Sequence, residues 1–309
     1  MHENRQSVMV IAGPTASGKT GLGVQLAALL DGEILSADSR QVYRGLDIGS
    51  GKDLNEYSFN GRSIPYHLID IADPSDEFSL FHYQQAFYPA LASVQERNKL
   101  PVIVGGTGLY LDAVLSGYAM VEVPPDKTLR AALADLEMPQ LIARLESTGK
   151  NLHNQTDTED RERLIRAIEI AEYTASHPAP PLPKINAFIM VIDHDKEVLR
   201  ERIARRLKER LDQGMIEEVA QLHESGLSWE RLELLGLEYR YVAQYLQGAI
   251  LSPNDLFQKL NSAIARFAKR QRTWFRGMER KGHVLHWLPD AELGTALNAI
   301  KYAGRQPQQ

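Results

Sequence analysis

Short apolar runs recur along the chain, and most of them end in glycine or aspartate. The runs with the length and composition of buried β-strands are Val8–Ala12, Glu33–Ala37, Pro101–Val104 and Phe188–Ile192. A helical pattern follows the first run from about Gly21 to Leu30, with its leucines on one face. Strands that alternate with helices predict a parallel sheet wrapped by helices.

The middle of the chain shows helical patterns and no convincing strand. The helices predicted there are Asp126–Leu136, Pro139–Thr148 and Glu159–Thr174, and the proline-rich segment Pro178–Pro183 closes the region. We therefore predict an α/β core formed by residues 1–115 and 184–309, with an all-helical insertion domain at residues 116–183. After Val198 the pattern is mostly helical, and the tail from Gly304 is expected to be loose.

Composition narrows the class of protein. The chain has 309 residues, 43% of them hydrophobic and 24% charged, as in ordinary globular proteins. Its apolar runs are all shorter than the ~18 residues of a membrane span, and it has no secretory pattern, so we expect a cytoplasmic protein without membrane contact. It has no cysteine, which excludes disulfides and cysteine-ligated zinc. A net charge of −5 argues against a uniformly basic nucleic-acid binder but permits a local basic face.

The first strand leads into a phosphate-binding sequence. The residues that fit the pattern G-x-x-x-x-G-K-[ST] are Gly13, Pro14, Thr15, Ala16, Ser17, Gly18, Lys19 and Thr20. In such a loop the backbone N–H groups face phosphate oxygens, the lysine adds a positive charge and the final hydroxyl can ligate Mg²⁺. The pattern predicts a P-loop NTPase-like core that binds a di- or triphosphate, without saying which one.

Two further predicted strands are followed by an aspartate, and a third is followed by a glycine-rich loop. Asp38 follows the second strand, where it could accept a proton or hold a metal through water, or simply cap the next turn; the spacing leaves these alternatives open. Asp193 resembles a Walker-B acid, but a turn-forming role is favoured there. Gly105–Tyr110 is either a close-approach loop for a ligand or a tight turn.

Basic residues are clustered in three places. Arg202, Arg206 and Arg210 recur every four residues; a solvated face paired with Glu201 and Glu209 is the favoured interpretation, and a phosphate grip is the alternative. The other clusters are Arg266, Lys269, Arg270, Arg272 and Arg276, interleaved with aromatic residues, and Arg161, Arg163 and Arg166. Three local clusters in an acidic protein suggest a groove for a polyanion.

Taken together, the motifs resemble those of the tRNA dimethylallyltransferases over roughly residues 8–290. The segments that carry the resemblance, in order, are Gly13–Thr20, Asp38–Gly49, His67–Ile71, Gly105–Leu111, Arg163–Glu169, Arg202 and Arg206 with Gly214, and Ala268–Phe275. The combination is far more specific than any single motif.

The resemblance implies transfer of a dimethylallyl group from dimethylallyl diphosphate, with Mg²⁺, to N6 of the adenosine 3′ of the anticodon in tRNAs that read UNN codons. It implies that the inserted domain binds the anticodon stem-loop and that the base is extruded into the core. The catalytic residues would be Asp38, Thr15 and Arg206, and the metal ligand Thr20. The diphosphate would contact Gly13–Thr20, Arg202 and Arg206. The tRNA-binding residues would be Asp38, Ser39, Arg40, Gln41, Thr107, Arg163, Arg166, Lys269 and Arg270.

The chain also departs from the family. Glu238, in Gly236-Leu237-Glu238-Tyr239, stands where the family has a basic residue, and Gly51-Lys52-Asp53 replaces a usual Ala-Lys-Pro. The inserted region is short. We expect a monomer. The alternatives are a dimethylallyltransferase of free adenine nucleotides, a P-loop kinase of a small metabolite that binds ATP, and an RNA-binding protein with a nucleotide-gated switch.

Overall fold

The computed structural model describes residues 7–149, 160–180, 182 and 185–303. Its strands are β1 (Ser7–Ala12), β2 (Gly32–Ser36), β3 (Ser58–Phe59), β4 (Arg62–Ser63), β5 (Tyr66–His67), β6 (Leu100–Gly105), β7 (Asn186–Ile192) and β8 (Leu285–Leu288). Within these residues, six strands form a parallel sheet in the order β5-β2-β6-β1-β7-β8, and β3 pairs with β4 in a separate antiparallel hairpin. The predicted α/β class with a parallel sheet is confirmed.

Helices cover the sheet and continue beyond it. They are α1 (Lys19–Leu29), α2 (Leu80–Glu96), α3 (Gly108–Leu115), α4 (Lys127–Leu133), α5 (Met138–Ser147), α6 (Arg161–Ser176), α7 (Lys196–Asp212), α8 (Met215–Glu224), α9 (Trp229–Leu234), α10 (Leu237–Leu246), α11 (Pro253–Arg280) and α12 (Leu293–Ala303). Within the described part of the chain, no helix is both long and apolar enough to cross a membrane.

The central strand β1 is buried on both faces, as its continuous apolar sequence predicts. Because successive side chains on a strand point to opposite faces, Val8 and Val10 pack with α2 and the end of α11, whereas Met9 and Ile11 pack with α1 and α12. A third apolar cluster is formed by α7 to α11 and contains Ile203, Leu207, Tyr239, Leu260 and Ile264. The strands are therefore packed on both faces of the sheet, and the apolar face of α7 is packed in the third cluster.

The predicted elements differ from the observed ones mainly at the sheet edges. The four predicted strands are β1, β2, β6 and β7, but the edge strands β5 and β8 were not predicted. These have two and four residues, too few for alternation to distinguish them from loop. Helix α1 begins at Lys19, two residues earlier than predicted, because Gly18 takes a left-handed conformation (φ +88°) and turns the loop directly into the helix. Glu159, Pro181, Pro183 and the tail from Gly304 lie outside the described residues.

The described residues divide into two compact units, one formed by residues 7–116 and 185–303 and the other by residues 117–149, 160–180 and 182. The second unit contains α4, α5 and α6, with a small core of Leu133, Leu141, Leu145, Leu164 and Ile168. Each of its helices covers only part of this core, so the unit depends on polar contacts as well.

A buried carboxylate supplies those polar contacts. Glu169 of α6 accepts two hydrogen bonds from the Arg130 guanidinium of α4, at 2.7 and 2.9 Å, and one from Arg166 at 3.1 Å. It also accepts the backbone N–H of Asp126 at 2.9 Å, just before α4. The Arg130 hydrogen bonds lower the pKa of Glu169 from 4.5 to about 2, against the opposing effect of burial.

We expect Glu169→Gln to destabilise the second unit at neutral pH and much less in acid. A carboxyl whose folded pKa is depressed contributes stability above its unfolded pKa of 4.5, and this contribution is lost as the pH falls toward 2. Its upper bound is about 3 kcal/mol. The measurement is hydrogen exchange of α6 peptides, compared with the wild type at pH 7 and pH 3.

Glu172→Gln, which removes a more exposed ion pair with Arg144, is the matched control and should cost less than about 1 kcal/mol. An equal loss of protection at both pH values would contradict the assignment.

Candidate functional site

The phosphate-binding sequence folds as a tight loop between β1 and α1. Ala16 (φ +60°) and Gly18 (φ +88°) take left-handed conformations, which turn the chain back on itself. At Gly13 a Cβ atom would lie 2.8 Å from the hydroxyl of Ser17, so the turn has no room for a side chain there. The loop ends at the N-terminus of α1, where Lys19 and Thr20 begin the helix and its positive end faces outward.

Side chains from three distant segments hold this loop from outside. Arg202 of α7 donates from Nε to the carbonyl oxygen of Ala16 at 2.7 Å. His194 contacts the carbonyl oxygen of Ser17 through Nε2 at 2.8 Å. Gln271 of α11 accepts the N–H of Thr15 at 2.9 Å. These contacts fix the shape of the loop through the protein itself, and such pre-organisation lowers the cost of binding a phosphate.

A cavity of about 680 Å³ opens above the loop and joins most of the predicted site residues. The predicted residues that line it are Thr15–Thr20, Asp38–Gln41, Thr107, Arg202, Arg206 and Arg270. Gly13, Pro14 and Lys269 are not among its lining residues; the first two form the buried base of the loop. Arg163 and Arg166 lie on α6 in the second unit, where Arg163 is exposed and Arg166 is bonded to Glu169 and to the Val123 carbonyl oxygen.

Asp38 lies just beyond the end of β2, facing the phosphate loop across the cavity. One of its carboxylate oxygens, Oδ1, accepts the backbone N–H of Arg40 at 2.9 Å, so the side chain shapes its own turn and also lines the cavity. Asp38 can therefore both cap its own turn and act on a ligand in the cavity, which are the alternatives that the sequence left open. Gln41 is bonded at both ends of its amide, to the Ser36 hydroxyl and to the carbonyl oxygen of Gly51.

The second glycine loop, after β6, is tied to the same strand end. Ser39 donates its N–H to Thr107 Oγ1 at 3.0 Å, and Thr107 donates its own N–H to the Ala37 carbonyl oxygen at 3.1 Å. A Cβ atom on Gly105 would lie 2.2 Å from that carbonyl oxygen. The glycines therefore allow the backbones of two strand ends to touch, and this close approach presents Thr107 to the cavity.

The pKa of the Lys19 amine is strongly affected by its surroundings. Desolvation lowers the pKa of its amine from 10.5 to about 8; Asp38 opposes the shift, and Arg206 and Arg210 add to it. In the folded protein its Nζ atom lies 3.3 Å from the Pro14 carbonyl oxygen. Several cations that destabilise one another form a site whose charge is best satisfied by an anion.

The arginines of α7 face inward, which overturns the favoured sequence interpretation of a solvated stripe paired with Glu201 and Glu209. Arg206 bonds Asp53 at 3.1 Å, and Arg210 is buried, with Nη1 lying 3.4 Å from the Gly49 carbonyl oxygen. Glu209 pairs instead with Arg205, at 3.8 Å, and this exposed pair lies at the cavity as well. The helix turns its arginines toward the cavity because Ile203 and Leu207 hold the adjacent face in the apolar core.

The loop opposite these arginines is itself strongly fixed. Glu218 accepts the backbone N–H groups of Asp47, Ile48 and Gly49, at 3.1, 2.6 and 3.0 Å. Lys52 is buried and donates to the Tyr43 carbonyl oxygen at 3.0 Å and to Asp47 at 2.6 Å, and it also pairs with Asp70. Lys52, a charged residue with no partner apparent from the sequence, is therefore structural.

Glu238 is an acid with cations around it. It lines the cavity, and desolvation raises its pKa, while Arg210, Arg206 and Arg40 act in the opposite direction. The three guanidinium groups therefore offset the effect of burial on this carboxyl only in part.

Sequence reasoning missed several residues of this site. Gln271, Asp53 and Arg210 were not assigned roles, since their partners are far away in sequence. Asp193, considered a weak metal-binding candidate, instead forms a bidentate ion pair with Arg272 of α11, at 2.5 and 2.9 Å. The arginine repeat on α7 was the signal that could have identified Arg210.

Comparison with known proteins agrees with this geometry. A family model described as IPP transferase matches residues 41–278, and one described as isopentenyl transferase matches residues 6–64. A protein of Geotalea daltonii named tRNA dimethylallyltransferase 1 is 55% identical over 302 residues, covering 97% of each chain. A solved tRNA isopentenylpyrophosphate transferase of Bacillus halodurans has a TM-score of 0.69 at 31% identity, covering 97% of this chain and 96% of that one. A eukaryotic dimethylallyltransferase, solved acting on tRNA, shares the fold with a TM-score of 0.74 at 22% identity, covering 98% of this chain and 81% of that one.

Gly51→Ala should damage anion binding because Arg210 packs against this glycine. A Cβ atom on Gly51 would lie 1.5 Å from Arg210 Nη2, and the residue also has φ +66°. Gly61→Ala is the matched control, since Gly61 has φ +77° but no atom within 4 Å of its Cβ position. Both variants carry a backbone cost of about 1 kcal/mol. Only Gly51→Ala should also weaken binding of inorganic pyrophosphate, by about tenfold or 1.4 kcal/mol, in calorimetry. The same affinity in both variants would show that the Arg210 contact has no role in the site.

Proposed function

This chain belongs to the IPP transferase family, and from that premise we propose that it moves the dimethylallyl group of dimethylallyl diphosphate onto N6 of the adenosine 3′ of the anticodon in tRNAs that read UNN codons. The product is isopentenyladenosine within the tRNA, and inorganic diphosphate is released. The observation that carries the proposal is one cavity that is lined both by the phosphate loop and by the carboxylate of Asp38.

The reaction needs two kinds of stabilisation, and the cavity offers both. As the N6 nitrogen forms a bond to the allylic carbon, the carbon–oxygen bond to the diphosphate breaks and negative charge grows on the departing oxygen. Lys19 and Arg206 would stabilise that charge, and Thr15 would contact the bridging oxygen. The proton that N6 loses would pass to Asp38, which lines the same cavity.

The residues present also fit a magnesium ion carried by the diphosphate. Among the described residues, no cluster of three or more acidic, histidine or cysteine side chains could hold a metal by itself. Mg²⁺ bound with phosphates usually takes only one or two protein ligands, and the Thr20 hydroxyl at the start of α1 is suitable for that role. When bound, the ion would neutralise charge on the leaving group.

The tRNA would approach from the side of Asp38 and the second glycine loop. Ser39, Arg40 and Thr107 line the cavity there, and the Arg270 guanidinium lies over the Phe267 ring at 5.7 Å, forming a flat surface suited to a base. We propose that Gln41 and Lys269 lie at the edge of this contact. The inserted unit would bind the anticodon stem-loop.

Within that unit, Arg163 has the strongest claim to a phosphate contact, since its side chain is 61% exposed. Arg166 is already bonded to Glu169 and would contribute mainly by supporting α6. A cytoplasmic, monomeric enzyme remains our expectation. Free adenine nucleotides remain the principal alternative acceptor, because the catalytic cavity alone does not require RNA.

We expect purified protein with Mg²⁺, dimethylallyl diphosphate and unmodified UNN-reading tRNA to produce isopentenyladenosine, detected by mass spectrometry of digested tRNA. AMP serves as the competing acceptor, and ATP is added in a parallel reaction to test for competition at the phosphate loop. Transfer to AMP with none to tRNA would favour the alternative acceptor. Phosphate transfer from ATP without prenyl transfer would favour a kinase.

Asp38→Asn and Asp38→Ala separate the two roles of this side chain. Asparagine keeps an oxygen that can accept the Arg40 N–H, whereas alanine loses it. If Asp38 accepts the proton, both variants should slow transfer by about 10²–10⁴-fold, while tRNA affinity stays near wild type in Asp38→Asn. Single-turnover transfer and filter binding measure the two effects. Near-normal transfer by Asp38→Asn would reduce the residue to a turn former.

A further inference from the structure

Gln271 of α11 connects the two glycine loops of the cavity. Its Oε1 atom accepts the N–H of Thr15 at 2.9 Å, and its Nε2 atom donates to the carbonyl oxygen of Gly106 at 2.8 Å. The side chain is 8% exposed, so water competes little for either bond. One amide thus joins the phosphate loop after β1 to the loop after β6.

An amide side chain satisfies both ends of this connection, whereas an ionised carboxylate or an apolar chain of the same length does not. One partner is a backbone donor and the other a backbone acceptor, so the side chain must offer one acceptor and one donor. A carboxylate would face the Gly106 carbonyl oxygen without a proton to donate, and an apolar chain would leave both backbone groups unsatisfied. The contact is also close, since a Cβ atom on Gly106 would lie 2.6 Å from Nε2.

The helix that carries Gln271 is anchored by two residues that follow it. Arg272, the next residue, forms the bidentate ion pair with Asp193. One helical turn after Gln271, the Trp274 ring packs so closely on Gly108 that a Cβ atom there would lie 2.3 Å from the ring. Gln271 is therefore held at a fixed position against the two loops.

The bond to Thr15 has a direct consequence for the phosphate loop. Because the Thr15 N–H is directed to Gln271, it is not one of the N–H groups that bind phosphate, and the orientation of the whole residue is fixed. Thr15 lines the cavity on the leaving-group side, and Thr107, next to Gly106, lines it on the acceptor side.

We propose that Gln271 is a positioning residue for prenyl transfer, which sets the distance and angle between the leaving-group loop and the acceptor loop. This inference rests on the proposed function. Gln271 acts through Thr15 and the Gly106–Thr107 segment, without touching the reacting atoms. Misplacement of reacting groups by about 1 Å can cost about 10²-fold in rate.

The first test is Gln271→Met, which keeps the length of the side chain and removes both hydrogen bonds. We expect kcat to fall by about tenfold to a hundredfold, while the KM for tRNA stays within about twofold of the wild type. Thr273→Ala is the control, because Thr273 lies on the same helix, is exposed and bonds only the Lys269 carbonyl oxygen of its own helix. Wild-type kcat in a folded Gln271→Met protein would overturn the inference.

The second test uses pH and compares the shapes of two activity profiles, so a uniformly lower activity of either variant does not affect it. In Gln271→Glu, a protonated carboxyl can donate to Gly106 while accepting from Thr15, whereas an ionised one cannot. The kcat of this variant relative to the wild type should therefore rise as the pH falls from about 8 to about 6, because burial favours the neutral acid. The same ratio for Gln271→Met should stay flat. Parallel profiles for the two variants would overturn the inference. Absence of isopentenyladenosine with the wild type would instead overturn the proposed function.

Discussion

Three neighbouring parallel strands, β2, β6 and β1, end at one edge of the sheet with their backbones in contact, and the chemistry of the cavity depends on that contact. Gly105 touches the Ala37 carbonyl group after β2, and Gly106 approaches Gln271 so closely that any side chain would collide. Where backbones lie this close, Asp38, Thr107 and the phosphate loop open onto one cavity. A bulkier residue at either glycine would separate the acceptor side from the leaving-group side.

Charge is the second organising constraint. Lys19, Arg206 and Arg210 converge on the cavity; the two arginines contribute to the lowered pKa of Lys19, and Arg206 contributes to the lowered pKa of Arg210. Asp53 and Glu238 partly offset that cost from the opposite wall. These carboxylates offset only part of the positive charge, and an arriving diphosphate would compete with Asp53 for Arg206.

The parts of this site that the sequence predicted are those encoded by local spacing. The phosphate loop is contiguous and Asp38 directly follows a strand, so one parallel-sheet rule brings them together. Gln271 could not be predicted in the same way, because its bond to Thr15 joins residues 256 positions apart. The Arg206–Asp53 pair spans 153 positions, and no periodicity in either segment indicates it. The orientation of the α7 arginines was predicted wrongly, because an arginine at every fourth position is the same sequence pattern whether that face of the helix borders solvent or a cavity.

The order of strands in the sheet has a consequence for how the protein acquires its shape during synthesis. Strand β1 lies between β6 and β7, so the strand that leads into the phosphate loop has a partner on each side. The second partner, β7, begins only at Asn186. Until the ribosome has made that segment, one edge of β1 exposes unpaired N–H and C=O groups, and the nascent chain is open to wrong pairing or to capture by a chaperone. The helices of the inserted unit are all made during this interval, and contacts such as Arg130 with Glu169 lie within them, so the unit has time to fold before the sheet closes.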